Sequence, residues 1–351
     1  MTGKKSDPFR NAGAAMKRAA AGASFMKNTD QLYAERVRQL FTKNDDVRDS
    51  GLTEPEDVEC VTDIAYGPDP MQVLDLYYPA GADKALPTIV SVHGGGFVYG
   101  DKERYRFYCM SLARRGFAVV NFSYRLAPEF RFPAQLTDTN LVMQLICSRA
   151  GKDAAEGTGN AAAEAAAREG ATGEVFSAES TAAGSSVFRI LDPGSLFMVG
   201  DSAGAQLVTQ YCAALNNPAY AQLLGLDPPP LPVRACALNC GLYHFDLKKD
   251  RMMARCYFDG AARSYADKMD LFGNITKDFP PAFIMTSTGD FLRARAEPLA
   301  ARLAELGVEN ELHVYGDEVT KPGHVFHCNM KDPLAARCND EECEFFRRHM
   351  K

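Results

Sequence analysis

The chain has 351 residues, 46% of them hydrophobic, and a formal charge of −6, which suits one large core of the kind α/β enzymes keep in a single domain. A sequence pI near 5.6 offers no electrostatic footprint for nucleic acid. No run approaches the roughly 18 apolar residues that span a membrane, residues 19–26 are too short and mild for a signal core, and ten scattered cysteines read as reduced thiols in a cytoplasmic protein.

Residues 1–55 are Ala-rich and charged. Leu32, Val37, Leu40 and Phe41 fall near helical spacing and predict a helix over 31–42, in a leader that reads either as a lid segment or as a solvated stretch; the main domain is expected over 56–351. Residues 73–78 alternate like a strand and end at Pro79. A β-branched run at 88–92 predicts the next strand, which feeds directly into His93-Gly94-Gly95-Gly96-Phe97. A crossover helix is predicted over 105–115, stopped by Gly116, and then a buried strand over 117–122.

Residues 148–186 are rich in Ala, Gly, Glu, Ser and Thr, with scarcely any large apolar side chain. Such a segment cannot bury enough surface to offset its ordering entropy. It reads as a low-complexity surface insertion, with 160–168 the portion suited to an exposed helix. The apolar run 196–199 then leads into Gly200-Asp201-Ser202-Ala203-Gly204, and Val208, Tyr211, Cys212 and Leu215 mark one face of a following helix.

Proline-rich 227–232 opens onto a strand over 233–240. Cys236 and Cys240 share a face of it about 13 Å apart, at roughly 3.3 Å per residue, so they cannot bond to each other. Residues 243–270 carry Phe245, Met252, Met253, Tyr257, Phe258 and Met269 among many charges, side chains that suit either a deformable apolar pocket wall or any packed helix. A strand at 282–287, an amphipathic helix at 297–306 capped by Gly307, and a last strand at 311–315 complete the pattern. Strands alternating with helices imply a mostly parallel central sheet flanked by helices, whose ligand site gathers at the carboxyl ends of strands. Both glycine motifs sit there.

Their chemistry is specific. Small residues two before and two after Ser202 let a strand turn sharply into a helix with the hydroxyl exposed, and a His-Gly-Gly-Gly loop supplies N–H groups for an oxyanion. A serine hydroxyl needs a histidine to take its proton and a carboxylate to orient that histidine. On a sheet with this elbow the chain order is serine, acid, histidine. Asp290 follows the strand at 282–287, and His324 lies in the loop after 311–315. His327 is the nearest rival; His313 lies within a strand, His244 in the lid region, and Asp317 shares a loop with His324 instead of ending the preceding strand. His93 reads as a loop support whose ring bonds neighbouring backbone. Arg125 and Glu129 read as a buried polar brace. His324, His327, Cys328, Cys338, Cys343 and His349 lack the paired spacing of structural zinc, so no metal is expected.

His93–Phe97, Tyr124–Glu129 followed by Phe132-Pro133-Ala134, Asp192-Pro193, Gly200–Gly204, Asp290 with Leu292-Arg293, and His324-Val325-Phe326 together resemble the hormone-sensitive-lipase-like branch of the α/β-hydrolase esterases. Every block is in order from about Val73 to Phe326. The resemblance implies an α/β-hydrolase fold with an eight-stranded sheet, a helical cap drawn from the N-terminus and from the segment after the sixth strand, and cofactor-free hydrolysis of short-chain acyl esters by Ser202, His324 and Asp290. It implies an oxyanion hole from the N–H groups of Gly95, Gly96 and Ala203, with Gly94 grouped with them in support of the loop. The expected partner is a small-molecule ester, with no nucleic acid and no membrane; a homodimer is left open. Ala205 stands where the family usually has a second glycine, the 148–186 insertion is longer than usual, and the leader does not match closely. Two further readings stand beside this one: an amide or formamide hydrolase on the same machinery, and a non-catalytic ligand-binding protein on a hydrolase scaffold.

Overall fold

Parallel strands covered by helices on both faces read as unbroken apolar runs, and the centre of this fold is built from several. The computed structural model describes residues 8–156, 187–246 and 248–351. Its strands are β1 (Val58–Ala65), β2 (Val73–Pro79), β3 (Leu86–Val92), β4 (Ala118–Phe122), β5 (Leu191–Asp201), β6 (Val233–Asn239), β7 (Ala282–Ser287) and β8 (Asn310–Tyr315). They form one sheet in the order β1-β2-β4-β3-β5-β6-β7-β8. Strand β2 is antiparallel to both neighbours, and every pair from β4 to β8 is parallel. The main helices are α1 (Pro8–Asp49), α2 (Lys102–Ala113), α3 (Ala134–Glu156), α4 (Ala203–Leu215), α5 (Pro218–Leu224), α6 (Arg251–Tyr257), α7 (Ala296–Glu305) and α8 (Pro333–Arg348).

Because successive strand residues point to opposite faces, the core divides in two. Val90, Met198, Leu238 and Ile284 pack with α3, α4 and α7. Ile89, Phe197, Ala237 and Phe283 pack with α2 and α8. Each of these side chains larger than alanine stabilises by about 1.5–3 kcal/mol relative to exposure, so the ends of the central strands rest on a firmly buried core.

Several elements depart from the sequence expectations. Helix α1 is far longer than 31–42, because Ala and long charged residues propagate a helix without the apolar stripe that periodicity detects. It is pinned by its C-terminal half. Asp30 accepts from Arg131 at 3.0 Å and from Arg255, Arg38 donates to the Val98 and Ala127 carbonyls, and Ala34 packs with Val98, Ala127 and Cys256. The helix therefore crosses the loop after Gly96 and meets α6.

Helix α2 begins at Lys102 because Asp101 caps it, accepting from the Arg104 N–H at 2.9 Å. The first residues of the supposed 148–186 insertion continue α3 to Glu156; its remainder, including 160–168, lies outside the described residues. The Arg125–Glu129 brace is divided, since α3 supplies a different partner. Arg125 grips the fully buried Asp138 at 2.7 Å, whereas Glu129 is half-exposed and pairs with Arg38 at 2.7 Å. Among the described residues no helix is long and apolar enough to cross a membrane.

Candidate active site

The turn between β5 and α4 places Ser202 at φ 52°, ψ −115°. A non-glycine residue there stores strain on the order of 1–3 kcal/mol, so the surroundings must hold it. Its N–H donates to the Asn239 carbonyl at 2.9 Å, and its carbonyl accepts from the Leu242 N–H at 3.0 Å. Gly204 lets α4 come against the end of β3: a Cβ there would lie 2.0 Å from the Val92 carbonyl oxygen and 2.6 Å from that of His93. The Ala205 methyl, by contrast, is simply buried.

Asp290 follows β7 and His324 follows β8, which brings them together although 34 residues separate them: His324 Nδ1 donates to Asp290 Oδ1 at 2.7 Å. The same oxygen accepts from the Leu292 N–H at 2.9 Å, and Oδ2 accepts from the Thr286 hydroxyl at 2.8 Å. Burial pushes the Asp290 carboxyl up, but the His324 hydrogen bond and charge, the Leu292 N–H and the Thr286 hydroxyl outweigh it and hold it below the usual carboxylate range. It is therefore ionised at neutral pH, which sets Nδ1 as the protonated nitrogen and leaves Nε2 to accept. The structure shows no hydrogen bond between Ser202 Oγ and His324; such contacts often tighten only with substrate bound.

Gly95, at φ +110°, and the next two residues, also at positive φ, form a tight turn closed by the Gly95 carbonyl, which accepts from Val98 and Tyr99 N–H. Among the described residues no acceptor meets the N–H of Gly95, Gly96 or Ala203. Gly94 keeps the supporting role expected of it and does not count among the oxyanion donors. Its N–H is engaged by the Tyr105 hydroxyl at 3.0 Å and Asp201 Oδ1 at 3.2 Å, so it braces the loop and is not available to an oxyanion. His93 donates from Nδ1 to the Gly94 carbonyl at 2.7 Å and stacks on Tyr124 at 3.9 Å. Burial lowers its pKa to about 4, so it stays neutral.

Sequence reasoning missed Asp201 and Tyr105, which tie the elbow to the glycine loop. Tyr105 donates to Asp201 at 2.8 Å, and burial raises the acid to about 6 against that hydrogen bond, the His324 charge and the Gly94 N–H. The signal was present: an acid beside a strand end otherwise wholly apolar demands partners.

The alternatives lie elsewhere. His327 is buried, which pushes its pKa down to about 3. His313 pairs with Glu311 at 3.0 Å, His244 is exposed, and Asp317 accepts from the Val319 and Thr320 N–H groups of its own turn. Cys328, Cys338 and Cys343 are buried, and His349 bonds the Phe345 carbonyl. Cys240, outside the sequence candidates, lies with the Asp290 carboxylate and the His324 ring, the three ligand atoms within 4.8 Å of one another.

A second acid sits beneath the elbow. Glu342 on α8 is fully buried and accepts from the Tyr108 hydroxyl at 2.8 Å and from Asn239 Nδ2 at 2.7 Å; the carbonyl of that same Asn239 holds the Ser202 N–H. Burial pushes the Glu342 carboxyl from 4.5 up to about 7, against the Asn239 and Tyr108 hydrogen bonds. Between those values the folded chain keeps a proton that the unfolded chain releases, so stability falls as pH rises through the window, and the whole penalty stands above it. At about 1.4 kcal/mol per pH unit this is about 3 kcal/mol. Glu342→Gln should therefore raise the melting temperature at pH 8 and leave it nearly unchanged at pH 5. Asn239 Oδ1 has no partner, so an amide flip lets it accept from the new glutamine. Thermal unfolding at the two pH values measures this, and equal shifts at both would show the acid is not strained.

Residues of α6 lie against the glycine loop. Met253 Sδ lies 3.4 Å from where a Gly96 Cβ would stand, and Phe97 stacks on Tyr257 at 3.7 Å. A surface cavity of about 760 Å³ is lined by Arg38, Thr42, Val47 and Lys331; it contains none of the candidate residues and is separate from this chemistry.

Known proteins agree with this architecture. An ethyl acetate hydrolase from Pseudomonas putida is 24% identical over 296 residues, 81% of either chain. The crystal structure of esterase B from Lactobacillus rhamnosis with a tributyrin phosphonate is similar with a TM-score of 0.74 at 23% identity, over 93% of this chain and 95% of that one. A Pyrobaculum calidifontis esterase gives a TM-score of 0.63 at 20% identity, over 90% and 92%. Residues 89–327 match the family described as alpha/beta hydrolase fold. Since that match takes in both glycine motifs, Asp290 and His324, the chain belongs to the alpha/beta hydrolase fold family, in its hormone-sensitive-lipase-like esterase branch.

Proposed function

We propose that the chain is a serine carboxylic-ester hydrolase acting on small-molecule esters with short acyl chains, without a cofactor. The observation that carries the reading is the 2.7 Å hydrogen bond from His324 to a buried, ionised Asp290, on the same sheet edge as a strained serine elbow. Ser202 Oγ attacks the acyl carbonyl as His324 Nε2 takes its proton, and Asp290 stabilises the imidazolium. The oxyanion is met by the unpartnered N–H groups of Gly95, Gly96 and Ala203, each worth about 2.7–4 kcal/mol of transition-state stabilisation. The tetrahedral species collapses, the alcohol leaves with the proton from Nε2, and water repeats the sequence on the acyl-enzyme. Short chains are favoured because Met253 stands over Gly96, and because the relative from Pseudomonas putida is named for ethyl acetate.

A fluorophosphonate probe should label wild type on Ser202 and leave Ser202→Ala unlabelled. Rates on p-nitrophenyl esters should peak at acyl chains of about two to six carbons, with each further methylene gaining at most about 0.8 kcal/mol until the pocket is full. Labelling that survives Ser202→Ala would remove the serine from the mechanism. A maximum at long chains would remove the short-chain specificity.

A further inference from the structure

Catalysis as proposed leaves the alcohol side of the substrate undefined, and one exposed residue lies against His324. Asp290 and Leu292 are 7% and 6% exposed, whereas Phe291 between them is 75% exposed. A phenylalanine turned into water forgoes the burial that ordinarily justifies it. Its ring is not loose on the surface: it lies 4.3 Å from the His324 imidazole, centroid to centroid, tilted by 46°.

The reaction fixes what passes this position. The acyl carbon is held at Ser202 Oγ, and its oxygen turns to the N–H groups of Gly95, Gly96 and Ala203. Cap residue Met253 lies beside Gly96, which assigns the acyl chain to the cap. The leaving oxygen must take its proton from His324 Nε2, so the first atoms of the alcohol travel along the imidazole. A ring packed on that imidazole, with most of its surface still open, offers an aryl group an edge-to-face or offset-stacked partner.

We infer that Phe291 is a specificity-determining residue that receives the alcohol portion of the ester and favours aryl over alkyl esters. The inference rests on the hydrolase reading above. Its test uses two substrates with the same acyl group, phenyl acetate and ethyl acetate, so that only the alcohol differs. Because phenol is the better leaving group in any enzyme, the quantity to follow is the ratio of kcat/KM values and its change on mutation.

Phe291→Ala should lower the phenyl-to-ethyl ratio by roughly tenfold, the scale of one lost aromatic contact. Phe291→Leu should restore part of it by apolar area alone. A ratio equal to wild type in both variants, including an equal loss on both esters, would overturn the inference, reducing Phe291 to a shield over His324 while leaving the hydrolase intact. Failure of wild type to turn over either ester would bring down the hydrolase reading itself, and the inference with it.

Discussion

His324→Ala should reduce kcat/KM on p-nitrophenyl butyrate by about 10⁵–10⁶-fold, the loss seen when a serine hydrolase is deprived of its general base. His327→Ala, three residues on, should remain within about tenfold of wild type. The two histidines share a loop but not an environment. His324 is partly exposed, and its ring is oriented by an ionised carboxylate at 2.7 Å. His327 is 1% exposed, has an unpartnered Nδ1, and sits edge-on to Tyr108. Burial keeps it neutral, and it contacts no acid that could stabilise an imidazolium. Its removal should register as stability, through a cavity costing on the order of 2–4 kcal/mol, and not as chemistry. Steady-state kinetics on both variants, each checked for folding by circular dichroism, distinguish them. Comparable losses of activity in the two would mean that the loop after β8 has been assigned to the wrong histidine.

The parts of this fold legible in the sequence were those signalled over a few residues. An apolar run that stops at glycine located the ends of β3 and β5, and one that stops at Thr288-Gly289 located Asp290. Strand β1 was missed because its side chains are largely exposed and do not alternate. Helix α8 was missed although Asp332-Pro333 is a start signal, with Asp332 accepting from the Leu334 N–H. What no local pattern contains is the bracing beneath the site. Tyr108 meets Glu342 across 234 residues and Asn239 meets it across 103, and the partner that Gly94 braces against, Asp201, lies 107 residues away. Within the loop, the glycines that offer an N–H and the glycine that supports them are alike in sequence; they differ in whether the N–H already has an acceptor.

Gly204→Ala should damage stability and activity together, although it adds a single methyl. The added Cβ would stand 2.0 Å from the Val92 carbonyl oxygen and within 2.8 Å of the His93 carbonyl group. Both neighbours are backbone, so no rotamer change relieves the clash; either α4 withdraws from the sheet or the end of β3 moves. Forced overpacking of this kind costs about 1–3 kcal/mol, occasionally more, and at roughly 2–4 °C per kcal/mol for a large domain the melting temperature should fall by about 2–12 °C. The larger effect is on chemistry. Val92 leads directly into the loop carrying Gly95 and Gly96, while Gly204 lies in the first turn of the helix that begins at Ala203, so any separation of β3 from α4 pulls apart the donors that the proposed mechanism brings to one oxygen. Loss of even one such donor lowers kcat by about 10²–10³-fold, and Gly204→Ala should reach at least that. Ala205→Gly, one residue on, deletes a methyl from a site that already accommodates it and should change kcat by less than about tenfold. Kinetics and thermal unfolding of the pair separate close approach from mere helix propensity: a Gly204→Ala enzyme with native melting temperature and full activity would show that contact between α4 and the glycine loop does not set the geometry of the site.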